Sequence, residues 1–456
     1  MSNVNDMTVG SPTKGILKFA IPLIFGYILQ QMYLIIDASI VGRFIGVNAL
    51  AAVGASASIM FLIMGFCNGC CSGFSIPVAQ AFGAKDYKRM RSYVSNAIRL
   101  AAIIAVVLTI ATAMLCAPIL KMLNVPANIF HDAWLFLLIN FLSIPFTICY
   151  NVLSGFIRAL GNSKQPFYFL IFSSFINIAL DLLLILALNM GVAGAAIATM
   201  ISQAFASLLC WIYIRKRMPQ LLPKNYEEKE FNKNLSGILL NNGLPMGLQF
   251  SITAIGIIML QSANNALGTV YVAAFTASMR VKYLFTCVFE NIGVAMATYC
   301  GQNIGAGAIS RIKQGLFAST KIMIIYFLFT LAIIIPFADD MMMIFVDPSE
   351  KDIIYNAALF MHIANYFYPV LGLLVILRYS IQGLGYGKLS LFSGVAEMIA
   401  RCAVSIWLVP TFHFLGVCYG DPMAWIAADL FLIPAMYFLY KHIKREYLSG
   451  QLNAKL

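Results

Sequence analysis

The chain has 456 residues, of which 61% are hydrophobic and only 11% are charged. A soluble protein of this length needs about 25% charged residues to cover its surface, and burial per residue rises too slowly with chain length for a larger core to explain the difference. No nucleic-acid-binding motif accompanies the net charge of +12, and an excess of Lys and Arg is typical of the cytoplasmic loops of membrane proteins. The composition therefore excludes a soluble nucleic-acid-binding protein and indicates a chain embedded in a lipid bilayer.

Apolar stretches follow one another along the chain, each long enough to cross a bilayer as a helix, which takes roughly 20 residues. These continuous runs exclude a closed barrel, whose strands alternate in polarity over about ten residues. We therefore predict an all-α polytopic membrane protein with twelve transmembrane helices. The predicted spans are 15–40, 49–78, 92–117, 131–156, 166–188, 191–214, 237–263, 270–301, 312–337, 353–383, 388–410 and 415–440.

Lys and Arg are concentrated at alternate ends of the predicted spans. The ends on the side of the two termini carry most of them, as in the segments 85–91 and 215–233, whereas the opposite ends carry only Arg43, Lys121 and Lys351. Because cytoplasmic loops collect positive residues, both termini are predicted to be cytoplasmic.

The sequence contains two copies of one pattern at an offset of about 220 residues. The segment Gln80–Ala84 recurs as Gln302–Ala306, and Pro22 is matched by Pro245. Six spans per copy give both copies the same orientation, so two homologous lobes are predicted to be related by an axis along the membrane normal, with substrate between them. The predicted boundaries are 1–214 for the N-terminal lobe, 215–236 for a cytoplasmic linker, 237–441 for the C-terminal lobe and 442–456 for a cytoplasmic tail.

Several short motifs occur in an order and spacing that are specific when they are taken together. They are Gly10-Ser11-Pro12 with Lys18-Phe19-Ala20-Ile21-Pro22, Asp37 late in the first span, Gln80-x-x-Gly83-Ala84, Leu160-Gly161, Asn177-x-x-x-Asp181 and Gly194-Ala195-Ala196-x-Ala198-Thr199. With this set the chain resembles the MATE family, the multidrug and toxic compound extrusion transporters, over essentially its whole length.

The resemblance implies a V-shaped pair of six-helix lobes in the bacterial inner membrane. It also implies export of small amphiphilic, often cationic, compounds by antiport with H⁺ or Na⁺, through rocker-switch alternating access, without another cofactor and without enzymatic activity. We expect a monomer whose partners are a small organic substrate and the lipid bilayer. In many bacterial members a carboxylate cluster in the first lobe binds the coupling ion, and the matching positions here are Asp37, Asn177, Asp181 and Thr199.

Elementary physics also indicates a site at these residues. A charge inside a membrane helix costs several kcal/mol and usually marks function. The helical rise of about 1.5 Å per residue places Asp37, Asp181 and Thr199 at one depth, roughly 12 Å below the outer surface, and Asn177 lies one turn from Asp181 on the same helix face. Such an all-oxygen cluster could hold Na⁺, or the two carboxyl groups could share a proton. Neutral packing residues are the structural alternative.

A second polar site is predicted near the middle of the membrane in the C-terminal lobe. Its residues are Glu290, Arg378, Glu397, Arg401 and Asp429. The i,i+4 spacing of Glu397 and Arg401 predicts a structural ion pair. Two interpretations of Glu290 stay open: it pairs with Arg378, or it attracts a cationic substrate or titrates during transport.

Gln30, Tyr33 and Gln261 are predicted as polar residues of a substrate cavity, in a chain rich in Phe and Met, which suit promiscuous binding. An ATP-driven pump is excluded because no phosphate-binding loop is present. A flippase for a lipid-linked saccharide remains the alternative function, since a diphosphate needs cations; the candidates are Arg280, Lys282, Arg378 and Arg401. A channel and an intramembrane enzyme are disfavoured by the repeat and by the lack of paired catalytic motifs.

Overall fold

The computed structural model describes residues 6–123 and 125–449 of the chain, apart from the side chain of Val47. Ten helices in this part are long and apolar enough to cross a membrane, and two bent helix pairs raise the number of spans to as many as twelve. The predicted all-α polytopic fold class is confirmed. The predicted lobe residues 1–5 and the predicted tail from residue 450 onward lie outside the described residues.

The chain divides into two compact units, the first of which contains Ile21–Gly247. Its helices are long because a segment in lipid must satisfy its backbone groups internally over the full width of the bilayer. They are α1 (Pro12–Ile40, from Ile21 onward), α2 (Val47–Gly83), α3 (Tyr87–Met122), α4 (Ala127–Leu142), α5 (Ile144–Ala159), α6 (Lys164–Leu182), α7 (Gly191–Arg217) and the short α8 (Tyr226–Lys229). Their inner faces meet in one apolar core that includes Phe74, Phe141 and Phe156.

The second unit contains Met7–Ala20 and the described part of Leu248–Leu456. Its helices are α9 (Lys233–Asn265, from Leu248 onward), α10 (Thr269–Gly305), α11 (Ile309–Met343), α12 (Lys351–Tyr366), α13 (Tyr368–Gly383), α14 (Gly387–Ala403), α15 (Val409–Phe412), α16 (Phe414–Cys418) and α17 (Gly420–Leu448). Aromatic side chains fill its core, where the rings of Phe289 and Tyr368 meet edge to face with centroids 5.4 Å apart.

The units divide the chain at places other than the predicted lobe boundaries. The segment before α1 belongs to the second unit, where Asn303 Nδ2 donates to the Met7 carbonyl at 3.2 Å and Arg311 Nη2 donates to the Gly10 carbonyl at 3.0 Å. The first half of α9 belongs to the first unit, because its backbone approaches α2 very closely. A Cβ atom on Gly73 would lie 2.5 Å from the Cα atom of Gly243, so any other residue there would push the helices apart.

The backbone repeats in the same way as the sequence. Residues with positive φ stand at equivalent positions of the two units: Gly46 (121°) and Gly268 (117°), Lys85 (57°) and Gly307 (68°), Gly161 (83°) and Gly385 (92°), and Asn189 (51°) and His413 (50°). Left-handed and related conformations are rare outside glycine, so their recurrence at a nearly constant offset, 222 residues for two pairs and 224 for the other two, reflects a shared fold. The helix that follows Asn189 is α7, and the helices that follow His413 are α16 and α17.

The fourth and tenth predicted spans, 131–156 and 353–383, are not continuous helices as predicted. The first is broken at Ser143 with a bend of 41°, and the second at Phe367 with a bend of 53°. In each case a proline, Pro145 or Pro369, occupies the first turn of the following helix. Proline provides no N–H for the preceding turn and its ring crowds the residue before it, which accounts for the break at both repeat-related positions.

The predicted linker, 215–236, is ordered against α3 within the first unit. Arg91 donates to both oxygens of Glu228, from Nε at 2.8 Å and from Nη2 at 2.6 Å. Asn96 accepts hydrogen bonds from the Asn232 backbone N–H at 3.0 Å and from the Ser236 hydroxyl at 3.1 Å. A bidentate Arg–carboxylate pair fixes geometry better than a single contact, so residues 215–236 are held in place against α3.

Candidate cation-binding site

The first unit brings Asp37, Asn177, Asp181 and Thr199 together. Asp37 lies on α1, Asn177 and Asp181 lie one turn apart on α6, and Thr199 lies on α7, which packs along α6. The carboxyl groups of Asp37 and Asp181 are close enough to form a hydrogen bond with each other. Asn177 and Asp181 are buried. The four residues predicted from the sequence therefore form one cluster.

The amide of Asn177 connects α6 to α7. In the orientation that satisfies both of its ends, its nitrogen donates to Asp181 Oδ2 at 2.9 Å and its oxygen accepts from the Thr199 backbone N–H at 3.1 Å. The amide orientation is assigned from this network, as is usual for Asn side chains. An amide so placed holds one Asp181 oxygen in position.

Tyr33 extends the cluster on the α1 side. Its hydroxyl lies 3.3 Å from Thr199 Oγ1, a distance at which either group can donate. Tyr33 is one helical turn from Asp37, so both side chains lie on the same face of α1. The residue predicted for the substrate cavity thus contributes a hydroxyl to the carboxylate cluster.

Two stretches of π-helix flank the cluster. One, Val41–Ile45, begins four residues after Asp37, and the other, Leu183–Ala187, begins two residues after Asp181. A π-turn inserts an extra residue into the helix and is found frequently at functional sites, because it rotates the neighbouring side chains out of regular α-helical register. Both carboxylate-bearing helices end in this way.

A small apolar cluster packs together the helix ends that carry these π-helices. Its buried residues come from the ends of α1 and α6 and the starts of α2 and α7: Ile40, Val41, Ala49, Ile185, Val192 and Ala195. Packed apolar side chains exclude water and strengthen every electrostatic interaction beside them. The carboxyl groups of Asp37 and Asp181, close to these helix ends, therefore lie in an environment of low polarity.

The chemistry of the cluster suits a single small cation. In the described part of the chain no Lys or Arg forms an ion pair with Asp37 or Asp181. One oxygen of each carboxyl group, Oδ1, is buried without a hydrogen-bond donor. A hydrogen bond between two carboxyl groups requires a proton on one of them, and with both groups ionised the same oxygens are ligands that Na⁺ accepts.

The second unit has a different arrangement, in which cations and carboxylates alternate. Lys282 on α10 and Arg401 on α14 both bind Asp421 on α17, with Arg401 Nη2 3.0 Å from Oδ1. Arg401 Nη1 then lies 3.2 Å from Glu397 Oε2, and Arg378 Nη2 on α13 lies 2.6 Å from Glu397 Oε1. We call Lys282–Asp421–Arg401–Glu397–Arg378 the charged chain; all five side chains are buried.

Two further carboxyl groups lie beside the end of the charged chain at Arg378. Glu290 accepts a hydrogen bond from the Tyr379 hydroxyl at 3.0 Å. Asp429 is buried, and neither of its oxygens has a hydrogen-bond partner among the described residues. Both groups are near enough to Arg378 to interact with its charge.

A profile of the MatE family matches residues 22–183 and 243–407, which together make up most of the chain. The first matched segment includes the polar residues described above for the first unit except Thr199. The second matched segment includes those of the second unit except Asp421 and Asp429. The chain belongs to the MatE family. This MatE chain is 29% identical to the probable multidrug resistance protein YoeA of Bacillus subtilis over 93% of each chain. It is 22% identical to the multidrug export protein MepA of Staphylococcus aureus over 94% of this chain and 93% of that one.

Solved structures share the fold of the MatE chain. One, described as the outward-facing conformation of a multidrug resistance MATE family transporter, aligns with a TM-score of 0.90 at 21% identity over 97% of this chain and 99% of that one. Another, a transporter of the same superfamily from Pyrococcus furiosus, aligns with a TM-score of 0.89 over the same shares. At this identity the likeness supports the fold, and it agrees with the two-unit division of the chain.

The second unit confirms one expectation for this MatE chain and bears on a question that the sequence left open. The predicted i,i+4 pair of Glu397 and Arg401 is present. Arg378, however, forms its ion pair with Glu397 and not with Glu290. Asp421 was missed as a member of this site; the only sequence signal was its position inside the predicted span 415–440.

The charged chain also weakens the flippase alternative. That function needs cations free to hold a diphosphate, yet Lys282, Arg378 and Arg401 are all paired with carboxylates. The fourth candidate, Arg280, is exposed and lies over the ring of Phe345, 5.9 Å from its centroid. A chain of paired charges of this kind offers little net attraction to a phosphate.

The remaining candidates for a substrate cavity, Gln30 and Gln261, lie outside both polar sites described above. Gln30 is exposed on α1 of the first unit, and Gln261 is exposed on α9 of the second. Neither contributes to the carboxylate cluster or to the charged chain among the described contacts. Their assignment to a substrate cavity stays a prediction.

Proposed function

We infer that this MatE-family protein exports small amphiphilic or cationic organic compounds across the bacterial inner membrane, by antiport with H⁺ or Na⁺. The names of its relatives, a probable multidrug resistance protein and a multidrug export protein, support the class of cargo. The observation that carries the proposal is the contact between the carboxyl groups of Asp37 and Asp181 in a site without a paired Lys or Arg. Such a site binds a cation reversibly, which is what coupling requires.

In the proposed cycle, substrate enters from the cytoplasm, the two lobes rock to face outward, and a cation reaches Asp37 and Asp181 from outside. Binding of the cation favours substrate release and return to the inward-facing state. The two ligands must prefer different conformations, because a ligand with equal affinity for both would shift nothing. Both termini are cytoplasmic in this scheme, in agreement with the distribution of Lys and Arg.

The site offers a physical route to this preference. When the Asp37–Asp181 hydrogen bond holds a proton, α1 and α6 are joined through their carboxyl groups; when the proton leaves, two like charges repel each other in an environment of low polarity. Asn177 and Tyr33 tie α7 to the same cluster through Asp181 and Thr199. Cation occupancy is therefore linked to the packing of three helices.

The test is efflux of a fluorescent lipophilic cation from proteoliposomes, with a pH gradient and a Na⁺ gradient imposed separately. Transport driven by one gradient, and lost in Asp181→Asn, identifies the coupling ion and supports the site. Asp339→Asn is the matched control, since it makes the same change at an exposed position on α11. If Asp181→Asn pumps as fast as wild type under the same gradient, the proposed site is wrong.

A further inference from the structure

Asp429 is the most isolated buried carboxyl group in the described part of the second unit. It lies on α17, with 5% of its surface exposed, and both of its oxygens lack a donor. A buried ionised carboxylate without hydrogen bonds is costly, because it loses its hydration and receives nothing in return. A neutral carboxyl group at the same place avoids most of that cost.

The neighbours of Asp429 come from the helices packed against α17. Arg378 on α13 and Glu397 on α14 both interact electrostatically with it. The same Arg378 is bonded to Glu397 and acts on Glu290. The charge of Arg378 therefore acts on Glu397, Glu290 and Asp429, and its ion pair is formed with Glu397.

The charges of the whole group do not balance if every acid is ionised. The cations are those of Lys282, Arg378 and Arg401, while the acids are Asp421, Glu397, Glu290 and Asp429, one more than the cations. In a buried site an excess charge is neutralised by a proton or a bound cation. Asp421 and Glu397 each bind two cations, so the uncompensated group is Glu290 or Asp429.

The hydrogen bonds distinguish these two. Glu290 accepts a hydrogen bond from the Tyr379 hydroxyl, whereas Asp429 accepts none among the described residues. A metal cation needs several ligands, whereas a proton needs a single oxygen atom, so with no hydrogen-bonding group beside Asp429 among the described residues a proton is the simplest occupant. We propose that Asp429 is a second proton-binding site of this protein, formed within the second unit and separate from Asp37 and Asp181.

The structure also provides for the deprotonated state. Arg378 Nε is buried without an acceptor, while its Nη2 remains on Glu397. When the proton leaves Asp429, the guanidinium has a free donor to offer the new carboxylate. The proposal thus describes an exchange: the O–H bond of Asp429 is lost, the proton goes to water, and a charge-assisted hydrogen bond from Arg378 replaces it. It goes beyond the proposed export function and does not depend on which compound is carried.

The test uses the purified full-length protein and infrared spectroscopy at about pH 6, where exposed carboxyl groups are already ionised. The difference spectrum between wild type and Asp429→Asn should contain the carbonyl band of a protonated carboxylic acid, and Asp37→Asn should retain that band. A difference spectrum with carboxylate bands alone would overturn the proposal. So would loss of the same acid band in Glu290→Gln with the band kept in Asp429→Asn.

A stability measurement separates a proton site from a structural ion. Asn resembles a neutral carboxylic acid in shape and polarity, so Asp429→Asn should leave the midpoint of thermal unfolding in detergent nearly unchanged. Asp421→Asn, the matched change on the same helix, leaves Lys282 and Arg401 without their shared partner and should lower the midpoint by several degrees. If Asp429→Asn lowers it as much as Asp421→Asn does, Asp429 is an ionised member of the charged chain and the proposal is wrong. Because neither readout involves transport, its failure is distinct from failure of the export function.

Discussion

The two units share one arrangement of helices but differ in the charges that their buried polar residues carry. In both, a helix that follows the same repeated loop ends in a five-residue π-helix: α6 with Leu183–Ala187, and α14 with Val404–Leu408. On α6 the buried polar groups are Asn177 and Asp181, whereas on α14 they include Glu397 and Arg401. The cluster at Asp37 and Asp181 holds carboxyl groups without a cation, whereas Glu397 and Asp421 in the second unit already have theirs.

This difference shows which carboxyl groups are free to bind a cation from solution. A carboxylate that shares two guanidinium or ammonium groups gains little from a further cation, because its charge is already compensated. Asp37 and Asp181 have only each other, an amide and hydroxyls. The internal compensation of the second unit stabilises a buried network, and the lack of compensation in the first unit leaves a site that must take its cation from outside.

The largest expected effect is the loss of coupling in Asp37→Asn. The substitution removes one of the two carboxyl groups, so the cluster can no longer alternate between a shared proton and a pair of charges. Efflux in proteoliposomes under the driving gradient should fall to the level of liposomes without protein. The variant should still unfold at a temperature close to that of wild type, because Asn keeps the side-chain shape. Efflux by Asp37→Asn at the wild-type rate would contradict the proposed difference between the two units.

The next largest effect is on stability, in Glu397→Gln. This change leaves Arg378 and Arg401 buried with one shared partner removed, and breaking a buried ion pair costs about 3–5 kcal/mol. We expect a clearly lower midpoint of thermal unfolding in detergent. Asp181→Asn serves as the control, since it removes a buried carboxyl group that has no cationic partner and should change the midpoint much less. Equal losses in the two variants would show that the second unit is not held together by its ion pairs.

A smaller effect is expected for Asn177→Leu. The amide donates to Asp181 and accepts from the Thr199 backbone, and leaving a buried polar group without its partner costs about 1–3 kcal/mol. The concentration of coupling ion that gives half-maximal efflux should change by about tenfold or more, with less effect on the maximal rate. Asn177→Asp restores an acceptor but adds a charge, so it should shift this half-maximal concentration differently from Asn177→Leu. If neither variant changes the half-maximal concentration, Asn177 is not part of the site.

The smallest effect is expected for Tyr33→Phe. This change removes one hydroxyl whose contact with Thr199 is 3.3 Å long, and a typical hydrogen bond contributes about 0.5–1.5 kcal/mol. The half-saturating concentration of the coupling ion should change by roughly two- to tenfold. Tyr168→Phe, the same change at an exposed position on α6, is the comparison, and a larger effect there would place the hydroxyl that matters outside the cluster.

The family resemblance indicated the residues of the first cluster, and residue chemistry with helical spacing supported it. Asp37 and Asp181 are charges inside apolar runs, and the rise per residue brings them to one depth with Thr199. The same reasoning could not foresee the contact of Lys282 with Asp421, which are separated by 139 positions in the chain. It also offered only Glu290 as a partner for Arg378, whereas in the structure Arg378 is paired with Glu397.

By itself the sequence determined the membrane class and the two-fold repeat, because apolar length and internal similarity depend only on the order of residues. The tertiary structure decided which carboxyl groups meet each other and which meet a cation. Helical periodicity states the face on which a side chain lies, but the rotation of each helix against its neighbours is set by close packing, as where Gly73 meets Gly243. That rotation joins Asp37 to Asp181, gives Glu397 two arginines and leaves Asp429 alone.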